Sequence, residues 1–395
     1  IRDSHSTSGW SGIGGLTRNP YALDRNACGS SSGTGAAIAA SLGAVGIGTE
    51  TDGSITCPSS INGLVGIKPT VGLVSRRYVV PISHSQDTPG PMGRSVADVA
   101  AVLNVIAGSD AGDPATRDAD AHRTDYVAAL DANALRGKRI GVLRFEAGFS
   151  SEVDAQFDAA LRQMEAAGAT LVEIAREPAG VDDARAGADE LTVLLTEFKA
   201  DLDSYLASTP TSVHARTLAD IIAFNAGNPR ETQLFGQDQF TAAQAAHGLD
   251  DHDYAVARDR NLRVARGAID SLLRQNRLDA LVAPTVGPAP VTDIVDGDHF
   301  VGGASTTLPA IAGYPHVTVP MGLVHALPVG ISFIGAQWSD AQILALAYAF
   351  EQRTHARRPP TYAHSINNVD PYREAIRPAA SPPLASEHRS SNKAT

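Results

Sequence analysis

The sequence predicts an α/β fold built as a single large domain, a twisted mixed β-sheet covered by helices on both faces. Three observations carry this reading. Short apolar runs bounded by turn residues alternate with helical segments along most of the chain. The 395 residues are 43% hydrophobic and 19% charged, enough apolar material for a large buried core. No internal repeat divides the sequence into smaller units.

Taken in order, residues 1–29 are polar and rich in Gly, Ser and Asn, with neither a strand nor a helix period. Alanines in Gly33–Leu42 favour a helix, with Ser31 or Ser32 as its cap. Val45–Thr49 is short, apolar and flanked by turns, so a buried strand is expected. A turn-dense stretch runs from Glu50 to Pro91, with apolar pieces at Leu64–Ile67 and Val79–Ile82. Ser95-Val96-Ala97-Asp98 has the form of a capping box and opens a helix to about Ala107. An Asp-rich, irregular excursion covers 109–134. Strands are then expected at Arg139–Arg144 and Thr170–Ile174, on either side of an amphipathic helix over Ser151–Ala167. A long helical region spans 181–275, broken near Asn228-Pro229 and near Gly248–Asp253. Strands at Leu278–Ala283, Val317–Met321 and Gly330–Ile334 precede a helix over Ser339–Thr354, capped by Ser339. From Arg357 onward Pro, Ser, Asn and His dominate. A disordered tail over 361–395 is therefore expected, leaving 1–360 as the domain.

The formal net charge of −11 and the lack of any Lys/Arg-rich block disfavour nucleic acid and anionic membranes as partners. No apolar run is long enough to cross a bilayer. Cys28 and Cys57 cannot make a disulfide framework; they either form one bridge or are small buried hydrophobes. The opening Ile1-Arg2-Asp3-Ser4-His5-Ser6 has neither the apolar nor the charged region of a leader and looks cut into, so no compartment is assigned.

The chemistry concentrates in two segments. In Cys28-Gly29-Ser30-Ser31-Ser32-Gly33-Thr34-Gly35, residues Gly29 through Gly33 satisfy G-x-S-x-G with Ser31 at the centre. A nucleophile elbow needs a buried strand leading into it, and the polar, Pro-broken Arg18–Ala27 is not one. A helix-capping Gly/Ser loop is the structural alternative. The second segment, Gly48-Thr49-Glu50-Thr51-Asp52-Gly53-Ser54-Ile55, follows a strand, turns through Asp-Gly and presents a serine behind a run of backbone N–H groups. Such a run is what an oxyanion hole requires.

Together the two segments resemble the amidase signature family. In that family the Gly/Ser loop supplies a bridging serine, held by an unusual cis peptide bond, and the second loop supplies the acylated serine 24 residues later. Ser30 and Ser54 fall on those positions. The agreement continues through Ser59–Thr70, Gly90–Asp98, Ala312–Pro315, Val319–Gly322 and Leu327–Gly330, so it covers about residues 20–355. Asp52, Thr56 and the segments Glu197–Leu202 and Leu218–Asn225 are similar to the bacterial peptide amidases, which remove ammonia from a peptide's C-terminal carboxamide.

The resemblance implies Ser54 as nucleophile, Ser30 as proton relay, the backbone N–H groups of Thr51, Asp52, Gly53 and Ser54 as oxyanion hole, and no metal or cofactor. It implies a small-molecule or peptide amide substrate, and a monomer is expected. The family's base is a lysine well upstream of the Gly/Ser loop. The lysines here are Lys68, Lys138, Lys199 and Lys393, none of them upstream. Lys68 reads as structural, and Ser390-Ser391-Asn392-Lys393 as a chance S-x-x-K. The chain is thus expected to be incomplete at its N-terminus, to expose apolar surface there, and to be inactive or nearly so. A glutamine-hydrolysing subunit of a tRNA-dependent amidotransferase and a non-catalytic binder of amidated peptides are the alternatives. Among other groupings, His247–Asp253 gathers metal-ligand types at a helix start, where Asp more often caps. His84 is a candidate for lining the substrate cleft, and Asp87 reads as a structural hydrogen-bonding residue.

Overall fold

The computed structural model describes residues 9–178, 180–232, 234–369 and 373. The strands are β1 (Trp10–Ser11), β2 (Gly15–Leu16), β3 (Val45–Glu50), β4 (Val65–Lys68), β5 (Thr88–Gly93), β6 (Arg139–Leu143), β7 (Thr170–Ile174), β8 (Ala280–Pro284), β9 (His316–Val324) and β10 (Leu327–Ile334). The α-helices are α1 (Ser32–Ala39), α2 (Thr56–Ile61), α3 (Val96–Ile106), α4 (Ala119–His122), α5 (Ser151–Ala166), α6 (Asp183–Ser208), α7 (Leu218–Ala226), α8 (Pro229–Thr232), α9 (Asp238–Ala245), α10 (His252–Gln275), α11 (Thr307–Ala312) and α12 (Asp340–Thr354). Apart from the small β1–β2 hairpin, the strands form one eight-stranded sheet in the order β3-β5-β4-β9-β10-β8-β6-β7. Pairings from β3 through β8 are antiparallel, while β6 lies parallel to both β7 and β8, so the sheet is mixed as expected.

Side-chain alternation along each strand divides the core in two. In β8, Ala280 and Val282 face one cluster while Leu281 and Ala283 face the other. The first cluster joins Val65, Ile67, Val317, Val319, Val329, Ile331 and Phe333 to α3, α5 and α12. The second packs under α10 and α11 through Ile269, Leu272, Ile311 and Ala312. In β4, β9 and β10 the alternate positions carry Lys68, His316, Thr318 and Ser332 instead, all wholly buried. That polar layer lies on the sheet face opposite the first cluster.

Several local expectations need correction. The strand at Val45 is not buried: β3 is an edge paired only with β5, and Val45 and Ile47 are 38% and 45% exposed. Within the turn-dense stretch, Thr88–Gly93 forms strand β5 where no strand is expected, while the apolar piece Val79–Ile82 stays irregular, with Tyr78 at positive φ and Pro81 in the run. Ser95 does cap α3, accepting the Asp98 N–H at 3.1 Å, but Ser31 and Ser339 make no side-chain cap. The helical region 181–275 has a further break after Ser208, at Thr209-Pro210. Residues 361–369 pack against the start of the chain, with Ile366 buried beside Tyr21, Ala22 and Leu327. The rest of the expected tail, Lys393 included, lies outside the described residues apart from residue 373. No helix among the described residues is long and apolar enough to cross a membrane.

Candidate active site

The Gly/Ser loop and the turn after β3 are stitched together at three levels. Cys28 and Cys57 form a disulfide, with Cα atoms 6.1 Å apart, tying the loop to α2. This replaces the alternative of two free buried thiols. The Ser31 N–H donates to the Ser54 carbonyl at 3.2 Å, and Gly29–Ser30 is a cis peptide bond. The Ser31 hydroxyl bridges the backbone of Thr49, lying 3.2 Å from its carbonyl oxygen and accepting its N–H at 3.1 Å. Ser31 is therefore a structural tie and no nucleophile, which disposes of the elbow pattern. Ser30 is exposed beside it, and Ser54 is half-buried.

The bridge encloses a sequence separation of 29 residues, for which a chain-entropy treatment gives roughly 3–4 kcal/mol of stabilisation. Reduction, or the pair Cys28→Ser and Cys57→Ser, is expected to lower the stability by that order. Urea midpoints with and without a phosphine reductant would check it.

Gly53 sits at φ +74°, a conformation that favours glycine, and its turn leads into α2. Among the described residues the N–H groups of Thr51, Asp52, Gly53 and Ser54 donate to no other protein group, so they are available to an oxyanion. Glu50 fixes the turn from below. Its Oε2 accepts the N–H groups of Ile55 and Thr56, each at 2.8 Å, and the Thr56 hydroxyl at 3.1 Å. Thr51 Oγ1 donates to Asp87 at 2.6 Å, while the second Asp87 oxygen accepts the N–H groups of Ile82 and Ser83. Asp87 is thus a brace.

Lys68 lies wholly buried beneath this turn. Burial pulls its pKa down to about 8, against the opposing charges of Glu50, Asp340 and Asp52. Its Nζ donates to the Pro69 carbonyl at 3.3 Å. Neighbouring His316 is held neutral, its pKa lowered to about 3 by burial and by Lys68. Asp340 in turn receives the Thr70 N–H at 2.9 Å and the Thr70 hydroxyl at 2.6 Å. Lys138 pairs with Asp279, and Lys199 donates to the carbonyls of Gln244 and Ala246.

A family model described as Amidase matches residues 4–344. The chain belongs to the amidase family. The solved peptide amidase from Stenotrophomonas maltophilia is 47% identical, with a TM-score of 0.82 over 91% of this chain and 72% of that one. A probable amidase of Arabidopsis thaliana is 36% identical over 361 residues, covering 90% of this chain and 65% of the plant protein. A glutamyl-tRNA(Gln) amidotransferase subunit from Acinetobacter baylyi is 34% identical over 359 residues, covering 87% of this chain and 70% of its own. The chain thus spans slightly less than two thirds of the plant relative's length.

In this amidase-family chain a cavity of about 330 Å³ opens beside the stitched loops, lined by Cys28, Gly29, Asp52, Gly53, Phe300 and Thr306 among others. His84 does not line it. Its ring turns to Asp201, with Nδ1 3.0 Å from Oδ2, and lines a separate cavity with Arg76 and Asp113. His84, Glu197 and Asp201 bring ligand-type atoms within 4.8 Å of one another. However, Glu197 is engaged by the hydroxyls of Ser83, Ser85 and Tyr254, and the Arg258 guanidinium stands 3.7 Å away, which disfavours a cation. In the His247–Asp253 segment, Asp251 caps α10 by accepting the N–H groups of Asp253 and Tyr254.

Glu190 was not singled out in the sequence, yet its carboxyl is buried and pushed up to about 8, by burial first and the charge of Asp52 second. A folded-state pKa above the ordinary 4.5 contributes stability below about 4.5 that is lost as pH rises towards about 8. Glu190→Gln is expected to flatten part of this decline, with Glu351, raised to about 7, supplying another part. Urea midpoints across that window would check the slope.

Proposed function

We propose that the chain carries the nucleophile and relay of a carboxamide hydrolase acting on the C-terminal amide of peptides. The observation that supports it best is the Ser31 N–H to Ser54 carbonyl bond, which brings the Ser30 loop against the Ser54 turn and its unused N–H groups. Ser54 Oγ attacks the amide carbon and passes its proton through Ser30. The N–H groups of Thr51 to Ser54 hold the developing oxyanion, ammonia leaves after protonation, and water then releases the acid by the reverse route. The likeness to a peptide amidase at 47% identity favours peptide amides over glutamine as substrate, as do Asp52 and Thr56 in the second loop.

The base is the weak point of the site. Lys68 is sealed among carboxylates while Ser30 is exposed, and Lys138 and Lys199 are engaged elsewhere. The chain by itself is therefore expected to release ammonia from an N-acylated dipeptide amide only slowly. Ethylamine, a diffusible stand-in for a lysine, should raise the rate by roughly ten-fold or more, in proportion to the unprotonated amine. A rate indifferent to amine, fast or absent, would count against a proton relay lacking its base.

A further inference from the structure

The cavity beside Ser54 does not end at Thr306. Through Gly303, Ala304 and Thr307 it adjoins a second cavity of about 400 Å³, lined also by Phe145, Glu146, Ala147, Phe149, Glu190 and Leu308. We propose that this second cavity is the subsite for a basic side chain of the substrate, so that the amides best accepted are those of lysine and arginine. The inference rests on the reading of Ser54 as the nucleophile, which would put the acyl part of the substrate in the first cavity, lined by the adjoining Asp52 and Gly53.

Three features point to a cation with an apolar stem. The walls mix polar and apolar groups, and Phe145, Phe149 and Leu308 supply an apolar stretch suited to methylene groups. No lysine, arginine or histidine contributes to the lining, whereas two glutamates do. Glu190 is only 8% exposed, and its surroundings supply a carboxylate rather than a countercharge. Its Oε1 accepts the Gln86 amide at 2.7 Å, and the charge that acts on it is that of Asp52. Asp52 itself accepts the Thr307 hydroxyl at 2.9 Å through Oδ2, and the Thr306 hydroxyl also acts on its carboxyl. Lys68 acts on Asp52 but also serves Glu50 and Asp340. Buried Glu190 at the wall of the second cavity and half-buried Asp52 at the wall of the first oppose one another's charge, and a substrate ammonium or guanidinium would let both ionise.

Burial and the charge of Asp52 raise the Glu190 pKa to about 8, which favours its protonated form near neutral pH. An arriving cation favours the carboxylate, so binding should expel a proton from Glu190 to solvent. A neutral side chain of the same length should not.

Calorimetric titration of the Ser54→Ala chain, which binds without turnover, tests this with N-acylated dipeptide amides ending in lysine, arginine, norleucine or glutamate. Lysine and arginine amides should bind about ten-fold or more tighter than the norleucine amide, with the glutamate amide weakest. At pH near 7 their heats should vary with the buffer's ionisation heat, as proton release requires. Glu190→Gln should remove both the preference and the proton release while leaving the norleucine amide's affinity within about two-fold. Equal affinities, no binding of the basic amides, or a preference that survives Glu190→Gln would overturn the subsite. Failure of the Ser54 reading shows separately, as an unmodified Ser54 in the wild-type chain, whatever the side-chain preference.

Discussion

Ser54→Ala is expected to bring the amine-assisted rate of ammonia release down to the uncatalysed background. On the proposed reading the serine oxygen forms the acyl bond and Ser30 passes the proton, while the Ser31 hydroxyl is committed to Thr49. Loss of a nucleophilic serine that acts as part of a unit costs on the order of 10⁴-fold or more. Because Ser54 is half-buried and makes no core contact of note, the urea midpoint should barely move. A variant that keeps more than about a tenth of the parent rate would show that the chemistry lies elsewhere.

Lys68→Met is expected to cause the largest loss of stability. The ammonium is wholly buried and balances Glu50 and Asp340, with Asp52 third. Removing one partner of a buried ion pair costs about 3–5 kcal/mol, because the carboxylates remain in the interior without their countercharge. Glu50 carries the turn through Ile55 and Thr56, so the oxyanion N–H groups should loosen as well. Burial already raises the pKa values of Glu50 and Asp340, so the orphaned carboxyls can take up protons. The penalty should accordingly shrink at mildly acidic pH. Denaturant midpoints at two pH values measure it, and a loss below about 1 kcal/mol would mean that the lysine is not the balancing charge.

How much of this was readable beforehand differs from residue to residue. Apolar periodicity located β3, β6, β7, β8 and the helices over 151–166 and 340–354 within a residue or two. By contrast, β9 and β10 run three residues beyond the expected bounds, and β5, whose Thr-Pro-Gly-Pro-Met-Gly reads as turn, was missed. The Asp-Gly turn before Ser54 was legible as a local pattern, whereas the pairing of the two serine loops came from the resemblance to the amidase signature family. The edge character of β3 was not legible, since an apolar run of five looks the same with one neighbour or two. The disulfide depends on two chain segments meeting in space, which residue counting cannot supply. The reading of Asp87 as a structural hydrogen-bonding residue agrees with its bonds to Thr51, Ile82 and Ser83. Glu50 and Glu190, however, act through partners five to about a hundred residues away that local sequence does not mark. For Glu50 the one available hint was an acid directly ahead of the Thr-Asp-Gly-Ser turn.

The central claim is that Ser54 takes the acyl group. Mass spectrometry of the wild-type chain, quenched in acid during amine-assisted turnover of a peptide amide, tests it most directly. An adduct of the acyl mass on the peptide containing Ser54, absent after Ser54→Ala, is the result expected. Ammonia released with no adduct on that peptide, or an adduct carried by Ser30 or Ser31 instead, would contradict it.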